Sequence, residues 1–354
     1  MKFSFLAMND YGGAAPGMAV WPVASEYCKR DVVAQSYNET MELVRHAETI
    51  GFDWISVSEH HYAPYMMLPN PLVMAGALTQ VVKKAKIALL GPLIPLNNPV
   101  RIAEEIAMLD VLSGGRIVSL FLRGTPNEHN TYSTPKDDTR GMTQEGIDLI
   151  LKAWNTSEPF AWHGKHYNFD HISVWPRSVQ DPHCPVYCSG NSEESVTFAA
   201  ERKMGIAFSF AEPETVRKWV DLYKVKSEEQ GWTPTAEQVI YRGISYVAPS
   251  DEQAEADVTA YMGAKAQEAA KLQSKTMGGP TEAPLISKPY FVGGVESIIE
   301  KFKVLDDCGV GVVDMNFPIG TFAQRQASMS LLADQVMPVV RNFGVNPAIA
   351  AASS

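Results

Sequence analysis

The sequence predicts an α/β fold, a (β/α)8 TIM barrel with insertions, and three observations predict it. Short β-branched or aromatic runs alternate with longer helical patterns, the sequence form of repeated βα units around a parallel sheet. Roughly eight such units can be counted by the usual unit size. The 354 residues, 45% hydrophobic and 20% charged, suffice to bury one large core of that kind.

The elements follow in order. "KFSFLAM" reads as the first strand, "VVAQSYNETMELVRHAETIG" as the crossover helix closed by Gly51, and "FDWISVS" as the second strand. "NPLVMAGALTQVV" is a helix, "KIALLGPLI" a strand, "NPVRIAEEIAMLDVLSGG" a helix with a glycine stop, and "RIVSLFL" the fourth strand. "PVYCS", "IAFSF", "VIYRGISYVA" and "GVVDMNF" continue the rhythm, each followed by a helical pattern. Two segments do not fit the repeat. Residues at about 155–184 are aromatic, proline-containing and non-helical, which predicts an added hairpin and loop. Residues at about 272–294 are rich in Gly, Pro, Ser, Thr and Lys and are too long for a connector, which predicts a mobile lid or a partly disordered loop. No linker is visible, so residues 1–345 are expected to form a single domain, followed by a flexible tail over 346–354.

The formal net charge of −10 and the absence of any basic run argue against nucleic acid or an anionic membrane as partner. Cys28, Cys184, Cys188 and Cys308 form no close metal-type pairs, and the simpler reading is a reduced, cytoplasmic protein. The N-terminal apolar stretch is too short for a signal peptide, and no run approaches membrane-spanning length.

In a parallel barrel, polar residues just after a strand are the informative ones. Glu59, His60 and His61 end the second strand in this way. Strand side chains alternate, so one imidazole can enter the mouth while the other packs outward. A metal would need further ligands at other strand ends, and no Asp/His set stands there, so no metal is expected. Arg123, followed by Gly124, can bring a guanidinium and a close backbone to a phosphate; its plain alternative is a surface ion pair with Glu128. "SGNSEES" opens a helix at Asn191 or Ser192, and with Ser195 one turn on it forms an anion site; the plain alternative is a simple helix cap. "GVGVVD", residues 309–314, lacks the third glycine of a dinucleotide fingerprint and precedes a strand, so a Rossmann-type nicotinamide site is unsupported.

Taken together, "MKFSF", "GFDWISVSEHHY", "NPVRIAEEIAMLDVLSGGR", "LRG", "PVY" followed by "AAER", and "DQVMPVV" resemble the bacterial luciferase-like flavin-dependent monooxygenases, in order and spacing over nearly the whole chain. The similarity is to the catalytic α subunit of bacterial luciferase. It implies a two-component monooxygenase that uses FMN in its reduced form, delivered by a separate flavin reductase, and molecular oxygen. A C4a-peroxyflavin would then oxygenate a small organic substrate. It also implies His60 as the catalytic residue, supported by Glu59 and His61. Arg123, Asn191, Ser192 and Ser195 fall on the phosphate site. Leu90 and Gly91 fall on the strand whose backbone faces the flavin ring, often through a non-proline cis peptide, and Phe210 falls on the aromatic beside the ring. Met8, Tyr62 and Met66 would line the substrate pocket.

The chain departs from luciferase at Asn191, where a glutamate stands, at Leu122, where the reactive cysteine stands, and at Pro126, where a tyrosine stands. Light emission is therefore not inferred. The helix from Asn98, with Arg101 and Glu104 on one face, matches the family's dimer-forming region, so a homodimer is expected. Two alternatives remain open at this stage: a deazaflavin-dependent oxidoreductase of the same fold, and a non-catalytic flavin-binding partner subunit.

Overall fold

Eight parallel strands close on themselves in a computed structural model that describes residues 1–16, 20–135, 137–270, 272 and 291–343. The barrel strands are β1 (Lys2–Leu6), β2 (Trp54–Val57), β3 (Lys86–Leu93), β4 (Ile117–Leu122), β7 (Val186–Ser189), β8 (Gly205–Ser209), β9 (Val239–Ala248) and β11 (Val312–Asn316). Each pairs in parallel with its neighbours, and β8 with β9 and β11 with β1 complete the ring. This is the expected (β/α)8 barrel.

Alternation along each strand separates two apolar regions. Odd-numbered residues such as Phe3, Ile55, Ile87 and Val313 face the surrounding helices and form the larger core. Trp54, Ala88, Leu90, Val118, Leu120, Tyr187, Ile240 and Val312 face the lumen and fill it as a second cluster.

The outer ring includes α1 (Arg30–Thr49), α2 (Pro71–Val81), α3 (Pro99–Ser113), α5 (Thr139–Asn155), α6 (Glu193–Glu201), α7 (Pro213–Glu229), α8 (Asp251–Ala270), α9 (Val295–Asp307) and α10 (Phe322–Leu331). Local chemistry fixes several ends. Asn70 and Asn98 accept from the first free amides of α2 and α3, each with proline at the first helical position. Gly114 closes α3 in the left-handed conformation, φ +69°. After α10 the chain makes a π turn over Leu332–Val336 before the short α11 (Met337–Val340), where Pro338 has no N–H to give.

Some sequence expectations hold and others change. A short α4 (Pro126–Thr131) and the seventeen-residue α5, both passed over in the sequence reading, follow β4 and complete the fourth unit. The segment expected as a hairpin and loop contains the antiparallel pair β5 (Phe160–His163) and β6 (Asn168–Ile172). The C-terminal end of the expected lid is a strand, β10 (Phe291–Gly294), which pairs in parallel with the upper half of β9. The rest of that lid over 273–290 and the expected tail over 346–354 lie outside the described residues. Arg101 pairs with Glu105, one turn further along α3, at 2.7 Å. All four cysteines are free thiols. No helix among the described residues is long and apolar enough to cross a membrane.

Candidate active site at the barrel mouth

The residues singled out from the sequence gather at the C-terminal ends of the barrel strands, where barrel sites are built. Met8 follows β1, residues 59–62 and Met66 follow β2, Leu90 and Gly91 lie in β3, Arg123 follows β4, Asn191, Ser192 and Ser195 follow β7, and Phe210 follows β8. Three of the non-glycine residues in the left-handed region, Asn9 (φ +51°), Tyr62 (φ +58°) and Phe210 (φ +55°), stand at these same strand ends. Each such backbone costs on the order of 1 kcal/mol or more, and that strain collects where the mouth is shaped.

The two imidazoles diverge, although β2 ends at Val57 and strict alternation stops short of them. His60 turns its Nδ1 to Glu128 Oε1 on α4, 3.2 Å away, while His61 turns its Nε2 to Glu59 Oε1, 3.1 Å away. Their side chains are 25% and 3% exposed. His61 is locked in place: Glu59 also accepts from the Leu93 amide at 3.0 Å, Trp21 donates to the His61 carbonyl at 2.9 Å, and the Tyr132 ring meets the imidazole edge-on at 5.2 Å. His60 is the imidazole open to the mouth.

Glu128 is the residue that sequence reasoning misread. It is buried, and it pairs with His60 rather than with Arg123. As third residue of α4 it closes a capping box on Thr125, accepting from the Thr125 amide at 3.0 Å and from the Thr125 hydroxyl. Burial alone would raise its carboxyl, but the hydrogen bonds from His60 and Thr125 outweigh burial and hold it down at about 2. A carboxylate ionised at every physiological pH therefore faces His60 Nδ1, which favours the tautomer protonated there. The usable signal was "TPNE", a capping box that fixes where the glutamate points. Asp10, beyond β1, was also missed: burial pushes its carboxyl up to about 6, against the pull of Arg325 and Lys265.

Across the mouth, β4 and β7 pair through Phe121↔Cys188. Arg123 and Gly190 are the first residues beyond these two neighbouring strands. The Arg123 side chain is exposed and has no ionic or hydrogen-bond partner among the described residues. Gly124 (φ +87°) brings the chain within 3.3 Å of Leu93 at the point where a Cβ would stand, so only glycine turns there without strain. Ser192 caps α6 by accepting from the Ser195 amide at 3.2 Å, and the Ser195 hydroxyl bonds back to the Ser192 carbonyl at 2.9 Å. The plain helix-cap reading is thus correct for both hydroxyls. The amides of Glu193 and Glu194 remain without acceptors among the described residues and point out of the helix start. Asn191 is exposed beside them.

One expectation fails. The cis peptide bonds among the described residues all precede proline, so the Leu90–Gly91 bond is trans. The register slips between Leu90 and Leu93, and Gly91 (φ +130°) carries the bulge, with Leu122 3.0 Å from where a Cβ would stand. The backbone is re-aimed by a bulge instead of by isomerisation. Tyr62 packs its ring on Trp21 at 5.9 Å and is half-exposed at the rim with Met66. A pocket of about 200 Å³ opens beside Glu59, Asn70, Asn97 and Tyr132. No group of three or more His, Cys, Asp or Glu suited to a metal occurs among the described residues.

A carboxylate-held imidazole, an exposed arginine and an open helix start thus share the end of the barrel where the strands finish, the face on which barrels of this kind carry their sites. The family profile of luciferase-like monooxygenases matches residues 1–311, and the chain belongs to that family. The oxygenase component of a flavin-dependent trigonelline monooxygenase from Acinetobacter baylyi is 22% identical over 328 residues, 86% of this chain and 90% of the relative. An alkanal monooxygenase alpha chain from the Kryptophanaron alfredi symbiont is 28% identical over 52% of each chain. A beta chain from Photorhabdus luminescens is 29% identical over 55% of this chain and 57% of its own, so similarity does not separate the two subunit types. The match thus spans about half the length of the luciferase-type relatives. Among solved structures, a monooxygenase from Streptomyces bottropensis superposes with TM-score 0.77 at 20% identity, over 96% of this chain and 99% of its own. The oxygenating constituent of 3,6-diketocamphane monooxygenase from Pseudomonas putida, in complex with FMN, gives 0.73 at 19% identity, over 96% and 98%. An F420-dependent secondary alcohol dehydrogenase gives 0.73 at 17% identity, over 96% and 99%. These superpositions establish the fold.

Proposed function

We propose that this chain is the oxygenase component of a two-component monooxygenase. It takes reduced FMN from a separate flavin reductase and, with molecular oxygen, adds one oxygen atom to a small, largely apolar organic substrate. The overall balance is substrate, O2 and FMNH2 giving oxygenated substrate, water and FMN. One observation carries the reading: His60, open to the mouth, is held at Nδ1 by a buried carboxylate, on the same rim as an arginine with no partner among the described residues, beside a helix start.

The residues fit a flavin phosphate. Arg123 offers a fork of donors, the Glu193 and Glu194 amides offer two more, and Gly124 lets the backbone approach. Bound reduced flavin would supply the electrons that activate oxygen. The protein's part is proton handling and exclusion of water. With Nδ1 directed to Glu128, His60 has Nε2 left to hold or move a proton at the mouth. Glu59 and His61 keep the loop after β2 in shape. Leu90 and Gly91 would form the wall behind the ring and Phe210 its edge, and Met8, Tyr62 and Met66 would enclose substrate. A homodimer through α3, whose Met108, Val111 and Leu112 are exposed, and a cytoplasmic setting complete the reading.

The F420-dependent neighbour of equal TM-score favours a second reading, hydride transfer with a deazaflavin and no oxygen. Turnover with FMN, a reductase and oxygen, absent under nitrogen, supports the monooxygenase; anaerobic turnover with reduced F420 supports the second. Oxygen-dependent product formation by this chain alone, without a second oxygenase subunit, excludes a non-catalytic partner role.

A further inference from the structure

Below the mouth lies a charged group that the proposed chemistry leaves unused. Arg242 on β9 donates from Nε to Asp314 Oδ2 on β11 at 2.7 Å, and Asp314, fully buried, also accepts from the Ser56 hydroxyl on β2. The Arg242 Nη2 is buried with no partner among the described residues. Buried donors on charged groups are nearly always bonded, so an Nη2 with no partner among the described residues leaves room there for one further acceptor.

The lumen shows which side that acceptor enters from. Beneath Arg242 the plug of Trp54, Val118, Leu120, Tyr187, Ile240 and Val312 is at most 4% exposed, yet the Arg242 side chain is 14% exposed. The opening is therefore toward the mouth, where Met8, Leu122, Ala207, Ser209 and Ile244 are also accessible. Ser209 pairs with Arg242, and the strained Phe210 donates its amide to the Arg242 carbonyl at 3.1 Å. In the closed strand order β9 stands four places from β3 in either direction, so Arg242 faces the Leu90–Gly91 wall from across the barrel.

Charge then selects the ligand. Asp314 already balances Arg242, the lysines Lys2 and Lys86 lie at the opposite end as the first residues of β1 and β3, and Arg123 on the rim is taken up by the flavin phosphate in the reading above. A carboxylate would add an uncompensated negative charge in a low-dielectric cup, whereas a neutral carbonyl oxygen adds none and accepts a charge-assisted hydrogen bond. We infer that Arg242, held by Asp314 and Ser56, is the substrate anchor of the mouth, and that the substrate is a neutral, otherwise apolar molecule carrying a carbonyl. The bond draws electron density from the carbonyl carbon and fixes which end of the molecule faces the flavin wall. This rests on the reading above for the identity of that wall.

The test is calorimetric titration of the protein, with and without saturating oxidised FMN, using cyclohexanone, methylenecyclohexane and cyclohexanecarboxylate. The ketone is expected to bind at least tenfold more tightly than the hydrocarbon, about 1.4 kcal/mol, with the carboxylate weaker than the ketone. In the double variant Arg242→Gln/Asp314→Asn, which leaves no buried carboxylate unpaired, the ketone preference falls to near one while FMN affinity stays within about twofold. Arg242→Lys, which keeps a partner for Asp314 but lacks the Nη groups, loses most of the preference and serves if the double variant does not fold. Unchanged preference in either folded variant overturns the inference. So does tightest binding of the carboxylate, no ketone binding at millimolar concentration, or a tenfold loss of FMN affinity with preference retained, which would assign Arg242 to the flavin. Failure of the native chain to bind reduced FMN, titrated under nitrogen, overturns the functional reading instead, and the FMN-free titrations still judge Arg242.

Discussion

Replacing Glu128 by Gln tests the His60 pair through stability and through chemistry. The carboxylate accepts from His60 Nδ1, the Thr125 amide and the Thr125 hydroxyl, and its carboxyl sits at about 2 instead of the usual 4.5. Holding the carboxyl at about 2 instead of 4.5 corresponds to about 3 kcal/mol of stabilisation by ionisation. Glutamine retains the acceptor for the Thr125 amide, so about 2 kcal/mol is the expected loss at pH 7. The sign follows from linkage: a carboxyl whose folded value is depressed stabilises fully above its unfolded value of 4.5, and that stabilisation is lost as pH falls toward 2. Thermal unfolding of native and Glu128→Gln protein, scanned at matched rates at pH 7 and pH 3, should show a gap of a few degrees at pH 7 that narrows at pH 3. In the oxygenase assay the variant should keep its affinity for FMN and lose about tenfold or more in kcat. Equal melting at pH 7, or a gap that widens on acidification, would refute the role given to Glu128.

Arg123→Ala is expected to weaken FMN binding about tenfold or more and to flatten its dependence on salt, measured by fluorescence titration. Glu59→Ala strips the buried His61 and the Leu93 amide of their acceptor; a loss of about 2–4 kcal/mol in chemical unfolding is expected, with much less from Glu59→Gln. Gly124→Ala places a Cβ at φ +87°, 3.3 Å from Leu93, and should cost about 1–2 kcal/mol with weaker FMN binding. Asp10→Asn follows the opposite sign to Glu128. A carboxyl raised to about 6 contributes stability below 3.8 that is lost as pH rises through 6. The variant should therefore match native at pH 3 and exceed it at pH 7.5, by on the order of 1–2 kcal/mol after allowing for partial exposure.

The barrel was legible because its signal is period and order. Runs such as "FDWISVS" and "RIVSLFL" are buried on both faces and read as strands whatever surrounds them, and "NP" before α2 and α3 marks their starts chemically. The site was legible only as a set of strand ends. Which imidazole is open depends on partners that the spacing of letters does not supply: Glu128 lies 68 positions from His60 and is aimed at it by the Thr125 cap. The Leu90–Gly91 bulge was hidden for the same reason, since a register slip is decided by the neighbouring strand. Arg242 and Asp314 left a signal that was not used, a charge in the middle of each of two otherwise apolar strands, "VIYRGISYVA" and "GVVDMNF". Only the parallel pairing of β9 with β11, which sets Asp314 opposite Arg242, turns those two charges into a pair.

The most direct measurement is rapid mixing of protein loaded with reduced FMN against oxygenated buffer, following flavin absorbance and hydrogen peroxide, for native protein and His60→Ala. If His60 manages protons at a protected flavin, the native chain reoxidises FMN with kinetics distinct from free FMNH2 and releases little peroxide when substrate is present. The alanine variant, still binding FMN, should release most of the oxygen consumed as peroxide. Identical traces for native protein, His60→Ala and free flavin would contradict both the cofactor and the role of His60.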